Sequence, residues 1–355
     1  MISVQIIDPS KDSRWDKFVE DNPLGWICHL SSWKKFLESS FKHIRGYFLA
    51  VVDSESSCIQ AGLPIYEVKS WLTGNRLVSA PFATLFDPLA SSPSQIKLLL
   101  GKAIQLSRYL ESSYIEIRTL QTGPNIIDTD FTSYVGFKHH YIDLNISLDK
   151  IWEGFHRQSI RQKISKAMKA NIRVKIAESE ADLKDFYKLH VMTRKRLSLP
   201  LQPYKYFNSM WQNFWHSGQL SLILALKKNI PISGLIYFTF KKRASAEYLA
   251  TDNSFLNSNP NHFLFWEAIK MAHEKGYLIF DFGRTSILNT GLMVFKKKWG
   301  TKVLDLHTFY YPPEVARNHG RNESGLKYKA IRMICGNTPK SFQKILGDII
   351  YRHMG

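Results

Sequence analysis

Cysteine is scarce. Cys28, Cys58 and Cys335 are the only three in 355 residues, odd in number, widely spaced and without a CxxC pair. That excludes a disulfide framework and a thiolate metal site, and points to a reducing compartment. Long apolar runs are also missing. Stretches such as SLILAL and GLIYFTF fall far short of the roughly 20 residues that cross a bilayer. The opening MISVQIIDPSKDSRW meets Asp8, Lys11 and Asp12 before a signal-length apolar core develops, so a cytoplasmic protein is expected. No HExxH spacing relates any of the twelve histidines, the adjacent His139 and His140 included, and no metal is expected. Acidic residues are in deficit, 30 against 48 Lys and Arg, for a formal charge of +18. Such a balance favours acidic or polyanionic partners. With 44% hydrophobic and 13% aromatic residues the chain is too apolar to be disordered, so the basic excess decorates a folded body. Its length suits about two domains.

The pattern is α/β in both halves. Trp15 to Glu20 and SSWKKFLESSF read as helix, the latter with Ser31 or Ser32 as cap and Trp33, Phe36 and Leu37 as its apolar face. YFLAVVD, CIQAGLPIYEV and RLVSAPFATLF read as strands, SPSQIKLLLGKAIQLSRYL as a long helix and YIEIRTL as a strand. A comparable order recurs: helices ADLKDFYKLHVMTRKRL and KYFNSMWQNFW, strands LSLILALKK, PISGLIYFTFKK and ASAEYLATD, helix FLFWEAIKMAHEKG and strand YLIFDFG.

Between the halves, Ser147 to Ile176 carries seven basic residues and no acid from Phe155 onward. Read as a helix, it gathers Ile160, Ile164, Ala167 and Met168 on one stripe, with Arg157 and Arg161 at the edge and Lys163, Lys166 and Lys169 around the rest. Lacking the acids that would pair with it along a solvated helix, this surface is read as anion-binding. A solvated charged helix is the alternative.

A second cluster lies in YLIFDFGRTSILNTGLMVFKKKWGTKV. An apolar strand carries Asp281, turns at Gly283 and presents Arg284, Thr285 and Ser286, the kind of strand end where α/β sheets assemble sites. A structural bridge from Asp281 to Arg284 is the competing reading. Downstream, Lys296, Lys297 and Lys298 stand between Phe295 and Trp299, with Gly300 allowing a tight exit. A surface lysine run is the alternative.

These segments together resemble the FemABX family, the peptidyltransferases of peptidoglycan cross-bridge assembly. They resemble more closely the FemAB-like proteins of exopolysaccharide and PEP-CTERM gene neighbourhoods. The matching stretches are HLSSW from His29, SAPFATLFDPL, Arg157 to Ala167, TRKRLSLPLQP from Thr193, NPNHFLFWEAI from Asn259, FDFGR from Phe280 and FKKKWG from Phe295. The resemblance implies α/β mixed sheets in two tandem GNAT-like acyltransferase domains, placed here at 1–147 and 148–304. The segment from about 305 to 355 is expected to return toward the first. It implies transfer of an acyl or aminoacyl group to an amine, with Lys296 as the lysine of the Phe-Lys motif and Asp281 as its catalytic companion. Arg157, Arg161, Arg284, Ser286 and Trp299 are the substrate-binding candidates.

No covalent nucleophile is needed: amide formation requires a free amine, an activated ester or thioester, and a group to hold the developing oxyanion. The usual acyl-CoA loop of GNAT proteins, Gln or Arg followed by x-x-Gly-x-Gly or Ala, is absent from this sequence. That makes ordinary acetyl-CoA chemistry less expected; what the resemblance implies is an aminoacyl-tRNA donor, no bound cofactor, and a phosphate- or diphosphate-bearing cell-envelope precursor as acceptor. An acyltransferase using CoA or a carrier on an exopolysaccharide amino sugar is the alternative, and a non-catalytic polyanion binder is the second. The stripe Phe342, Ile345, Leu346, Ile349 and Ile350, flanked by Lys340, Lys344 and Arg352, is read either as core packing or as peripheral membrane contact.

Overall fold

The computed structural model describes residues 2–126, 129–316, 326–339 and 342–354. The chain forms two compact units: 1–137 with 305–325 and 349–355, and 138–304 with 326–348.

In the first unit β1 (Ile2–Ile7) is followed by α1 (Ser13–Asp21), α2 (Ser31–Ser40), β2 (Ile44–Asp53), β3 (Ile59–Val68), β4 (Arg76–Val78), α3 (Pro93–Tyr109) and β5 (Ile115–Thr119). Strands β1 to β4 are joined antiparallel, and β4 then pairs with β5 in parallel. The late strand β12 (Lys302–Tyr311) adds antiparallel to β5 through His307 to Tyr311; of the later residues, 305–325 and 349–355 group with this unit and 326–348 with the second. Ser31 does not cap α2: Leu30 stands at the cap position, and Ser31 instead donates through its backbone N–H and hydroxyl to Asp16. The run expected as RLVSAPFATLF keeps only three residues as strand.

The second unit repeats the order: β7 (Arg173–Ile176), α6 (Glu180–Arg196), α7 (Tyr204–Phe214), β8 (Leu220–Lys227), β9 (Ile230–Phe240), β10 (Arg243–Thr251), α8 (Pro260–Glu274), β11 (Ile279–Ser286). Again the first strands are antiparallel and the last pair, β10 with β11, is parallel. The strand β6 (Thr132–Asp143) lies beside β11. Helix α6 forms because Ser179 caps its first turn and Leu183, Phe186, Tyr187, His190 and Thr193 recur at helical spacing on the buried face.

One packing device occurs in both units. A Cβ at Gly62 of β3 would meet the Trp15 ring of α1 at 2.5 Å, and a Cβ at Gly234 of β9 would meet the Phe186 ring of α6 at 2.8 Å. In each unit the first helix presses an aromatic ring onto a bare strand position, so the glycine is set by the close approach.

The segment expected as one basic helix is several elements: α4 (Leu148–Gly154), a π-turn at Arg157–Arg161, α5 (Gln162–Lys169) and then β7. Ile160, Ile164 and Ala167 are buried as the stripe requires, but Met168 is 44% exposed. At about 100° per residue it falls roughly 80° from Ile160, over the stripe's edge. Helix α9 (Thr290–Lys297) follows β11 and presents Lys296 on its buried side. Helices α10 (Leu326–Asn337) and α11 (Gln343–Tyr351) close the chain. Lys340 lies outside the described residues. Among those residues no helix is long and apolar enough to cross a membrane.

Candidate active site

The parallel register of β10 and β11 runs from Arg243 opposite Ile279 to Ser245 opposite Asp281 and ends there. Directly beyond, β10 slips register between Ala246 and Tyr248. The bulged residue is Glu247, and a bulge at such a point bends the strand and re-aims a side chain. The strands part here, at the carboxyl end of a parallel pair, where α/β sheets place their chemistry.

Asp281 is fully buried, with neighbours Phe280 and Phe282 also buried on the other face. Its partner is not Arg284. One carboxylate oxygen is 2.7 Å from His139 Nε2 and accepts from Arg243 at 3.0 Å, while the other accepts the Gly283 N–H at 2.6 Å. The competing bridge to Arg284 is thus replaced by His139 and Arg243, both from remote strands. Burial pushes the Asp281 carboxyl up, yet His139, Arg243 and the Gly283 N–H outweigh it and hold the group below its ordinary value.

Lys296 is buried, and its ammonium donates to the Gly283 carbonyl at 3.0 Å and the Arg284 carbonyl at 3.2 Å. Burial lowers its pKa to about 8, opposed by the negative charges of Asp281 and Glu247. Asp281 and Lys296 therefore brace the same strand exit from two sides. Lys297 is exposed and Lys298 half-buried, so the three lysines are not equivalent. Glu247 is half-buried and accepts from the buried Ser245 hydroxyl at 2.9 Å. The His140 imidazole is depressed to about 4 by burial and then by the Lys296 charge.

Three sequence-designated residues also serve the fold. Trp299 is fully buried among Phe155, Phe265, Phe282 and Phe295 and has no exposed surface to offer a substrate. Ser286 accepts the Leu288 N–H on its hydroxyl and the Asn289 N–H on its carbonyl, which shapes the turn into α9. Arg284 contributes its backbone carbonyl to Lys296.

Arg157 and Arg161 line an open pocket of about 540 Å³ together with Trp152, Lys166 and Lys169. The Arg161 Nε is buried without a partner. This basic turn is fastened to the end of α9. The His156 N–H donates to the Lys298 carbonyl at 2.8 Å, Phe155 meets Trp299 edge-on at 5.1 Å, and a Cβ at Gly300 would sit 2.8 Å from the Gly154 carbonyl. Gly300 also has φ +69, so position 300 requires glycine on both counts. The two sequence clusters are thereby one construction.

Sequence reasoning missed His139, Arg243 and Glu247. The only signals were an adjacent histidine pair in an aromatic strand and lone charges inside apolar strands. Among the described residues no group of three or more His, Cys, Asp or Glu side chains could hold a metal.

Residues 154–297 match the family model described as an acetyltransferase (GNAT) domain, so the second unit carries an acyltransferase-type domain. No curated protein matches the chain. Among solved structures, FemX is similar at TM-score 0.72 and 18% identity over 87% of this chain and 97% of that one. The C-terminal domain of an Agrobacterium fabrum protein described as a lysylphosphatidylglycerol synthetase gives TM-score 0.59 and 12% identity, covering 88% and 95%. A tandem GNAT protein from the clavulanic acid biosynthesis pathway gives 0.53 and 9%, covering 87% and 98%. The fold is that of the FemABX-like, tandem GNAT proteins, as the resemblance implied.

Proposed function

We propose that the chain is an aminoacyltransferase that forms an amide on an amine of a phosphate-bearing cell-envelope precursor. The observation that carries this reading is the convergence of Glu247 and the buried Lys296 where β10 and β11 part. A half-buried carboxylate beside a buried ammonium suits transfer to an amine. Glu247 takes the proton from the attacking nitrogen as the C–N bond forms, the cation stabilises negative charge growing on the carbonyl oxygen, and collapse breaks the ester C–O bond, the proton passing from Glu247 to the departing tRNA ribose oxygen. Asp281, through the Gly283 N–H, His139 and Arg243, keeps the strand exit in place and is a positioning residue. The basic pocket at Arg157 and Arg161 suits the phosphates of donor or acceptor.

The connection from β10 to α8 supports a donor other than CoA. Asn253–Ser258 is a 3-10 helix in which the Phe255 N–H bonds to the Asp252 carbonyl, the Ser254 N–H to the Asp252 carboxylate and the Asn259 N–H to the Leu256 carbonyl. Amides so engaged are not turned outward as a cradle for a pyrophosphate. Aminoacyl-tRNA fits this and the +18 charge. The similar structures include FemX and a protein described as a lysylphosphatidylglycerol synthetase, which is in keeping with aminoacyl transfer to envelope components.

The test is a transfer assay with purified protein, offering aminoacyl-tRNA, acyl-CoA or an acyl carrier protein to amine-bearing nucleotide-linked and lipid-linked sugars. Transfer from aminoacyl-tRNA, abolished in Glu247→Gln, is the expected result. Transfer from CoA alone would replace the donor assignment, and full activity of Glu247→Gln would remove its role as base.

A further inference from the structure

Helices α10 and α11, with the turn between them, leave large apolar side chains exposed among the described residues. Their inner sides are anchored. Cys335, Gln343, Leu346 and Gly347 pack on Leu199, Pro200 and Leu201. The Lys195 ammonium donates to the Gly336 and Thr338 carbonyls at 2.7 and 2.6 Å. A Cβ at Gly347 would collide with the Leu201 carbonyl. The helix pair is therefore held in one orientation, and its outer side is equally determined. There Met333 is 66% exposed, Ile334 51%, Phe342 60%, Ile345 57% and Ile349 49%. On α11, Ile345 and Ile349 lie about 40° apart at 100° per residue, and the exposed Phe342 stands in the turn just before the helix.

We propose that this face docks on an anionic lipid surface. Among the described side chains of these two helices and the residue that follows them, Arg332, Lys344 and Arg352 are exposed, against the single exposed acid Asp348. An apolar stripe set among cations is the pattern of helices that lie in the headgroup layer, where apolar insertion and attraction to anionic lipid add. The charge also argues against a second copy as occupant, because a two-fold pairing would set this basic face against itself. The inference is independent of the reaction assigned above; it concerns where the chain works.

The experiment is flotation of the full chain with vesicles of phosphatidylcholine alone or with about one-third phosphatidylglycerol, with no transfer substrate present. Binding to the anionic vesicles, weakened by salt, is expected. Phe342→Ser with Ile345→Ser should reduce partitioning by about tenfold or more, and Lys344→Glu should reduce it less. Trp71→Ser, which alters an exposed apolar residue of the other unit, should leave it unchanged. Circular dichroism melting of each variant confirms that the fold is retained, and Lys344→Glu, which touches no packed surface, keeps the test open should the double variant unfold. No binding to anionic vesicles, or binding unaffected by these substitutions, overturns the proposal. So does a concentration-dependent dimer that only the double variant disrupts.

Discussion

Both units hold a buried carboxylate near the end of a parallel strand pair, and the two are treated in opposite ways. Asp87 in the first unit accepts from the backbone N–H groups of Leu120, Gln121 and Thr122 and from the Thr122 hydroxyl, at 2.8 to 3.0 Å. These donors cannot ionise. Burial is the largest influence on Asp87 and pushes its carboxyl up. Asp281 in the second unit faces His139 and Arg243, and is held down. The first unit follows β5 with a short 3-10 turn at Gly123–Asn125, the second follows β11 with the helix that carries Lys296. A repeated scaffold thus uses one carboxylate to fix a loop and the other to hold a charged strand exit. The difference lies in what stands opposite each carboxylate.

The sharpest way to break this division is turnover. Lys296→Met should lower it on the order of a hundredfold or more, with Lys297→Met near wild type in the same assay. Its melting temperature should move little, because losing two hydrogen bonds to carbonyls is offset by no longer burying an ammonium. In the wild type, turnover that needs this cation should fall as pH rises through about 8, and Lys296→Arg should move that limb upward. A variant without loss of rate would leave the second unit no more catalytic than the first.

Next in size is Asp87→Ala. Orphaning its donors should cost about 3 kcal/mol by chemical denaturation, while the protein that remains folded turns over normally. Lost turnover at native fold content would carry chemistry into the first unit.

The glycine pair tests the correspondence itself. Gly62→Ala and Gly234→Ala each force a methyl against a buried ring and should each cost about 1–3 kcal/mol. Costs that differ severalfold would show that the two contacts are not equivalents.

Smallest per histidine and per pH unit is an acid effect centred on the second unit. His190 is buried and neutral, its pKa lowered to about 3 by burial and by Arg194, and His262 is lowered to about 4 by burial and by Lys163. Folded-state values below the unfolded value of about 6.5 mean that the unfolded chain takes up protons which the folded one refuses. Stability is therefore full above about 6.5 and declines as pH falls toward 3, by about 1 kcal/mol per unit for each histidine. Melting curves between pH 7 and 4 check this, and a flat profile would contradict it.

Much of the fold was legible because periodicity is local. Helix α6 and strands β8 to β11 follow from spacing and β-branched runs, and the two informative clusters were visible as an acid-free stretch and a charge inside an apolar strand. What was not legible depended on contacts remote in sequence. Nothing near Asp281 announces His139, which is 142 residues away. Glu247 gains meaning only from a register slip. Ser31 looked like a cap because its competitor Asp16 lies on another helix, and Trp299 looked available because burial is not a property of hexapeptides. Lys296 was found by its motif, but not that its ammonium serves two backbone carbonyls.

The fastening of the basic turn to α9 has a consequence for energetics. His156 holds the Lys298 carbonyl and adjoins Arg157, while Lys298 stands two residues past Lys296. A phosphate bound at Arg157 as proposed would pull on the backbone that positions the buried ammonium, and whatever settles that ammonium would tighten the grip on phosphate. By the reciprocity of linked equilibria, the two ligand-facing groups keep a common account of strain. Phosphate affinity measured with and without the Lys296 charge must change by the same factor as the Lys296 proton affinity changes with and without phosphate.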